Sequence, residues 1–354
     1  MTVPSRLSIG ILASTGLHLD SFFVRIADLL RAHGHLVHFA AGTPMEHGRS
    51  HVVESLTQRP RLVNLGTGGD LRRWAQHVGA DVVLVNTATA GLLARRASLP
   101  VPVVYFAHGL HWREAGARRT AHWELLERWA LPGTASAIVL NAEDHRWFQR
   151  WAPDLPVHQL PFGVGLPVDA FQPSPQPDTN VVVWIGEHTT RKRPWLALEV
   201  AAELRRRGSP IQLRMLGRGP LTAELTRRAE ELGIAADVHL PGFVATAPEL
   251  QSARLLLHTA DWEGLPRVIL EAMAVHRPTA AFDVKGVRGL PSVHLAPDRD
   301  LGAMSDIIER ELAEPTAPDV YPAREDLSDV PVVTTLEAVL SQAVRGDART
   351  AHRA

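Results

Sequence analysis

Two glutamates stand eight residues apart in "DWEGLPRVILEAMA", Glu263 and Glu271, with a proline and a run of helix formers between them. Proline is excluded from helix interiors but suits a first helical position, so a helix is predicted to begin near Leu265 or Pro266. Glu263 then belongs to the loop and Glu271 to the helix. The free amides at Arg267 and its neighbours, with the positive end of the helix dipole, offer a phosphate site between the carboxylates. The carboxylates could hold hydroxyls on either side of a diphosphate. In the alternative, Glu263 complements the dipole and Glu271 is solvated; spacing alone does not separate the two.

Other residues carry chemistry only in context. Lys192 follows a strand and Gly186, where it could neutralise phosphate or simply be a solvated lysine at a helix start. His108, after another strand, is either a hydrogen-bonded structural residue or a catalytic one. The 18 histidines include "HGHLVH" and "HGLH", but neither pairs two histidines on one helix face with a nearby acid, and no metal site is expected. "DRD" at Asp298 to Asp300 reads as a solvated turn.

The elements that position these residues alternate along the whole chain. "LSIGILA", "HLVHFAA", "ADVVLVN", "PVVYFAH" and "SAIVLN" are apolar runs of strand length separated by helical patterns such as "SFFVRIADLLRAHG". Such runs indicate strands buried on both faces, hence parallel sheets of α/β type. A proline-rich stretch from Leu160 to Thr179 reads as a linker, after which "NVVVWIG", "IQLRMLG", "DVHLPG", "RLLLHTA" and "PTAAFD" repeat the alternation. Two doubly wound domains are expected, residues 1–174 and 175–354, with ligands at the carboxyl ends of the strands in an interdomain cleft. The helix "TLEAVLSQAVR" near the end is expected to pack. With 37 lysines and arginines against 38 aspartates and glutamates, there is no global field to hold nucleic acid. The absence of cysteine excludes disulfides and thiolate chemistry and fits a reducing cytoplasm. No apolar run reaches the ~18 residues of a membrane span. In "ARRTAHWELLERWA", Trp123, Leu126 and Ala130 share one side, which would either pack inward or lie on an anionic membrane surface.

The ordered motifs resemble the retaining nucleotide-sugar glycosyltransferases of the GT-B fold that carry a Glu-x7-Glu signature (glycosyltransferase family 4-like, capsular and exopolysaccharide branch). "GEHTTRKRP" is similar to the family's glycine–basic–lysine segment, "LGRGP" to its Gly-x-Gly-Pro turn, "LPGFV" to its base-binding loop, "VPVVYFAHGLHW" to its His-Gly segment, "LNAEDHRWF" to its Asn-x-Glu-Asp segment, and "LPFGVGLPVDAF" to its linker. The resemblance implies a two-domain GT-B architecture, an N-terminal acceptor domain and a C-terminal donor domain. It implies catalytic roles for His108, Glu263 and Lys192. Donor contacts would come from Gly16, Gly186, Arg191, Arg193, Gly217, Gly242, Phe243, Gly264, Leu265, Pro266, Arg267 and Glu271, with the last on the ribose hydroxyls. Asn86, His111 and Trp112 would meet the acceptor. Three positions depart from the pattern. Glu187 stands where arginine is usual, so either Arg191 or Arg193 supplies the missing positive charge or donor binding is weaker or altered. The N-terminal glycine pair is reduced to Gly16, and Gly289 replaces a common acidic residue.

The implied activity is transfer of a sugar from a UDP- or GDP-sugar to an acceptor hydroxyl with retention, in polysaccharide or glycoconjugate biosynthesis. No cofactor or essential metal is implied, nor a nucleic-acid partner. The acceptor would be a saccharide, a lipid-linked molecule or a small molecule, reached in the cytoplasm or at the inner membrane face. Two alternatives stay open: a nucleotide-sugar epimerase of the same architecture, and a non-catalytic glycosyltransferase-like partner.

Overall fold

The computed structural model describes residues 6–56, 66–112 and 120–351. Each of the two expected sheets is present and all its strands run parallel. The first has seven strands: β1 (Ser8–Ala13), β2 (Leu36–Ala41), β3 (Ser50–Val52), β4 (Val82–Asn86), β5 (Val103–Ala107), β6 (Ser136–Val139) and β7 (Val157–Gln159), in the order β3-β2-β1-β4-β5-β6-β7. The second has six: β8 (Val181–Ile185), β9 (Gln212–Leu216), β10 (Val238–Gly242), β11 (Leu255–His258), β12 (Thr279–Phe282) and β13 (Val293–Ala296), in the order β10-β9-β8-β11-β12-β13. In both sheets the order reverses beside the first strand, between β1 and β4 and between β8 and β11. Crossover helices cover the faces, so the central strands are buried throughout; β1, β4, β5 and β6 expose no residue.

The strands not foreseen from sequence are β3, β7 and β13, each at a sheet edge and largely accessible to solvent. An edge strand needs no continuous apolar run, so the pattern that reveals the central strands is missing there. The first helix also differs. It starts at Gly16, where the Thr15 side chain accepts from the His18 amide, and breaks at Phe23 before resuming as Val24–Ala32.

The compact units are Met1–Gly165 together with Asp329–Ala354, and Leu166–Ser328. The expected boundary at 174/175 therefore moves to 165/166, and the chain end leaves the second unit. The linker is fastened to the second unit: Leu166 N donates to Leu327 O at 2.8 Å, Arg324 donates to the carbonyls of Val168 and Phe171, and Arg277 to those of Ser174 and Pro175. The terminal helix Val330–Ala351 instead buries Val332, Val333, Leu336, Val339 and Leu340 in the first unit. Asp329 pairs with Arg25 at its start, and Glu337 accepts from His33 and His35 at 2.8 and 3.1 Å. Composition marks the proline-rich stretch as non-helical, but which body it adheres to depends on contacts distant in sequence.

Leu336 and Leu340 are fully buried, so truncating either to alanine is expected to cost about 2–5 kcal/mol in urea unfolding of the full chain. A loss within about 0.5 kcal/mol, typical of a surface substitution, would show that this helix is not part of the core.

Candidate functional site

The carboxyl ends of β8 to β12 carry most of the sequence-predicted residues. Gly186, Gly217 and Gly242 end the neighbouring strands β8, β9 and β10, joined through their backbones: Gly186 N donates to Leu216 O at 3.0 Å and Gly217 N to Gly242 O at 2.7 Å. A Cβ on Gly217 would stand 2.1 Å from Gly186 O, and φ is +116° at Gly217 and +82° at Gly242, conformations that demand glycine. The loops leaving these strands can therefore approach one another closely and present backbone rather than side chains.

At the switch point between β8 and β11, Glu263 is buried and held from three sides. Arg191 Nη1 donates to its Oε2 at 2.8 Å, Lys192 Nζ donates to Oε1, and His258 Nε2 lies 3.7 Å from Oε1. Burial alone would raise its pKa, but the imidazole of His258 and the charges of Lys192 and Arg191 outweigh burial and hold the carboxyl well below its usual range. Its amide donates to Lys285 O at 3.0 Å, and a Cβ on Gly286 would stand 2.3 Å from its carbonyl, so the loop after β12 seats the Glu263–Gly264 backbone. His258, Lys285 and Gly286 carried no sequence signal as site residues.

Pro266 caps the helix Arg267–Ala274, one position before its first residue, with Leu265 partly buried in the loop ahead of it. Glu271 lies in the second turn, buried, with Arg267 Nε 3.4 Å from its Oε1. Burial pushes its carboxyl up, against the charge of Arg267 and a hydrogen bond from Thr246, the first residue of the helix after β10. One carboxylate is thus kept ionised and the other is biased toward its proton. Neither is a solvated helix charge. Phe243, beyond Gly242, is 79% exposed.

Arg193 is a correction. Its backbone is left-handed (φ 49°) and its side chain is buried, donating to Thr259 O at 2.8 Å and Ala260 O at 2.6 Å, and pairing with Asp298 at 2.8 Å and Asp261 at 3.4 Å. Those contacts turn the guanidinium into the protein, and it serves there as a strut between the loop and the end of β11. "DRD" is a turn with Arg299 and Asp300 exposed, while partly buried Asp298 pairs with Arg193.

In the first unit, the ends of β4 and β5 bring Asn86 and His108 together, with Nε2 of His108 3.3 Å from Asn86 Oδ1. Asn86 Nδ2 donates to Leu12 O, which fixes the amide so that Oδ1 accepts and His108 carries its proton on Nε2. The ring stacks on Phe106 at 4.5 Å and meets His18 edge-on at 4.7 Å. Burial, with a contribution from His18, holds His108 well below the usual imidazole range, and burial lowers His18 to about 4. His18 was missed because it sits on a helix with no motif around it. Gly16 is buried where a Cβ would stand 2.0 Å from Pro44 O, so close packing within its own unit accounts for that glycine.

His111 is exposed, 5.5 Å from the Trp123 ring. Trp112 is 3% exposed and packs in the core against Trp147, a setting that explains it without an acceptor. The Asn-x-Glu-Asp segment has a local explanation as well, since Asn141 caps the helix Ala142–Trp151 and Asp144 accepts from Leu110 N at 3.0 Å, anchoring the His-Gly loop. Trp123 packs against the core and Ala130 is buried, whereas Leu125 and Trp129 of the same helix are exposed. Among the described residues no group of three or more His, Asp or Glu side chains is arranged to hold a metal ion, and no helix is long and apolar enough to cross a membrane.

Arg193→Ala strands partly buried Asp298 and two carbonyls, and is expected to cost about 3–5 kcal/mol in urea unfolding; a loss below about 1 kcal/mol would contradict its place as a strut. His18 and His108 have folded pKa values below the unfolded ~6.5, so the native state binds fewer protons than the unfolded one as pH falls. The stability they contribute is complete above that value and drains away toward pH 4. A His18→Phe/His108→Gln variant should lose less stability than the parent between pH 7 and 5, and an unchanged slope would refute neutral burial.

Comparison with known proteins bears on both halves. Residues 21–166 match the model of Glycosyltransferase Family 4, and residues 168–291 that of Glycosyl transferases group 1. The chain is 28% identical over 250 residues to a Bacillus subtilis protein named as a glycosyltransferase, EpsD, covering 64% of each chain. It is 32% identical over 146 residues to the alpha-D-kanosaminyltransferase of Streptomyces kanamyceticus, covering 39% of this chain and 38% of that one. Over 217 residues it is 30% identical to a GDP-mannose-dependent mannosyltransferase of Mycolicibacterium smegmatis, covering 55% of each. These alignments span less than two thirds of each relative. Among solved structures, Anabaena Alr3699/HepE in complex with UDP superposes with a TM-score of 0.76 at 17% identity, covering 95% of this chain and all of that one. Sucrose-phosphate synthase from Thermosynechococcus elongatus gives 0.71 at 18%, covering 98% of each. The two family models match in succession, one over each Rossmann-like unit, and the solved neighbours show that the fold is GT-B.

Proposed function

We propose that the protein transfers a sugar from a nucleoside-diphosphate sugar, a UDP- or GDP-sugar, to an acceptor hydroxyl with retained anomeric configuration and without an essential metal. The observation that carries the reading is the buried, ionised Glu263 at the switch point of the second sheet, with Lys192 and Arg191 on it and buried Glu271 on the helix that follows. Open parallel sheets bind ligands at such points, and glycine-terminated strands with a helix N-terminus suit phosphates. The relatives named as sugar transferases support this reading, and with it a role in polysaccharide or glycoconjugate biosynthesis.

In the proposed reaction the bond between the anomeric carbon and the terminal phosphate oxygen breaks, and a bond from that carbon to the acceptor oxygen forms on the same face. The acceptor's proton passes to the departing phosphate, so no protein carboxylate acts as nucleophile. Negative charge grows on that phosphate, and Lys192 with the amides at Arg267 stabilises it more in the transition state than in the ground state. Lys192 turns from Glu263 to the phosphate, which frees a carboxylate oxygen for a sugar hydroxyl. Glu271 takes the ribose hydroxyls. His108, neutral at pH 7, hydrogen-bonds the transferred sugar or the acceptor. A membrane-borne acceptor would be met in the cytoplasm at the inner membrane face, through exposed Leu125 and Trp129.

Thermal unfolding with UDP, GDP, ADP and dTDP in turn tests the donor site. A nucleotide at ~100 times its dissociation constant should add about 2.7 kcal/mol of stability, and Glu271→Ala should abolish that effect for the one that binds. Lys192→Ala should lower kcat about 10²–10³-fold. Full transfer activity of either variant at limiting donor would overturn the reading, as would turnover of the donor without acceptor.

A further inference from the structure

We infer that Arg218 grips the phosphates of the donor nucleotide, an inference that rests on the donor-site reading above. The loops following β8 and β9 contain four strong cations, Arg191, Lys192, Arg193 and Arg218. Arg191 and Lys192 are engaged with Glu263, and Arg193 is a buried strut. Arg218 is exposed, and among the described residues no carboxylate pairs with it.

Its guanidinium lies against the end of β10, with its Nε/Nη2 edge toward Gly242. A Cβ on Gly242 would stand 2.6 Å from Arg218 Nε, 2.9 Å from Nη2 and 3.1 Å from Cζ, so any side chain at 242 would displace it. Gly217 and Gly219 on either side are equally confined: a Cβ would meet Gly186 O at 2.1 Å and His188 O at 2.6 Å. The ends of β9 and β10 thus give up side chains, and one guanidinium occupies the surface they open, near exposed Phe243. Guanidinium offers a planar donor fork that matches phosphate oxygens.

The adjoining loop makes the need explicit. Exposed Glu187 follows Gly186, and the next amide, that of His188, donates to Arg218 O at 3.1 Å, so Glu187 and Arg218 are backbone neighbours. An incoming diphosphate meets the Glu187 carboxylate, and Arg218 is the charge placed to offset it. Phe243, at the end of the same surface, offers its ring face to the base.

The test titrates the full-length protein with UDP, GDP, ADP and dTDP, then takes the tightest binder and its nucleoside into the variants. Arg218→Ala should weaken the diphosphate about tenfold, the value of a charge-assisted hydrogen bond, while nucleoside affinity stays unchanged. Its affinity should also fall less steeply with added salt than the parent's. Arg218→Lys should recover part of the loss, Glu187→Gln should tighten the diphosphate, and Glu187→Arg should restore binding in the Arg218→Ala background. Equal loss for nucleoside and diphosphate, or no loss in a variant with the parent's melting temperature, overturns the role of Arg218. If the parent binds none of the four nucleotides, the donor-site reading itself fails. If it binds one, and Glu271→Ala abolishes this while Arg218→Ala does not, only the present inference fails.

Discussion

A buried carboxylate must be compensated or it will take up a proton, and the second unit is arranged around that constraint at Glu263. Removing an ionised carboxylate from water is costly, and the cost is offset only when cations approach within hydrogen-bonding distance. Arg191 and Lys192 come from the loop after β8, His258 from the end of β11, and the carbonyl that receives the Glu263 amide from the loop after β12. Three strand ends on both sides of the reversal in strand order must therefore be in register before the charge is satisfied. The same arrangement keeps two cations beside the ionised group.

The run Arg191–Lys192–Arg193 shows how a short basic segment divides its labour. The left-handed turn at Arg193 directs that side chain inward, onto the carbonyls at the end of β11 and onto Asp298, and leaves its two predecessors pointing at Glu263. The strut fixes the loop and the other two carry the site's charge. A residue with no Cβ at Gly286 admits the Glu263 backbone to the loop after β12, so the clamp is also closed from below.

The first unit uses different means at the equivalent strand ends. There the polar groups are neutral: Asn86 fixes the proton of His108, and aromatic rings on His108 from Phe106, Phe23 and His18 keep the imidazole uncharged. An uncharged imidazole hydrogen-bonds hydroxyls without drawing an anion to itself. The ionised carboxylate with its cations thus lies in one unit, and the neutral imidazole–amide pair in the other.

By itself the sequence determined the parallel α/β class, the central strands of both sheets and the loops that follow them, because strands buried on both faces write continuous apolar runs and helices write a 3.6-residue period. The resemblance named Glu263, Glu271, Lys192, Gly186, Gly217, Gly242, His108 and Asn86, and the strand pattern put Gly186, Gly217 and Gly242 just after apolar runs. The sequence did not reveal the edge strands β3, β7 and β13, which have no run to read. Only the tertiary structure decided that Arg193 and Trp112 are structural, that Arg218 lies against Gly242, and that Lys285 and Gly286 support Glu263. It alone returned the terminal helix to the first unit. The reason is common to all of these: residue type fixes what a side chain can bond, but which partner it meets depends on a backbone turn and on neighbours tens to hundreds of positions away along the chain.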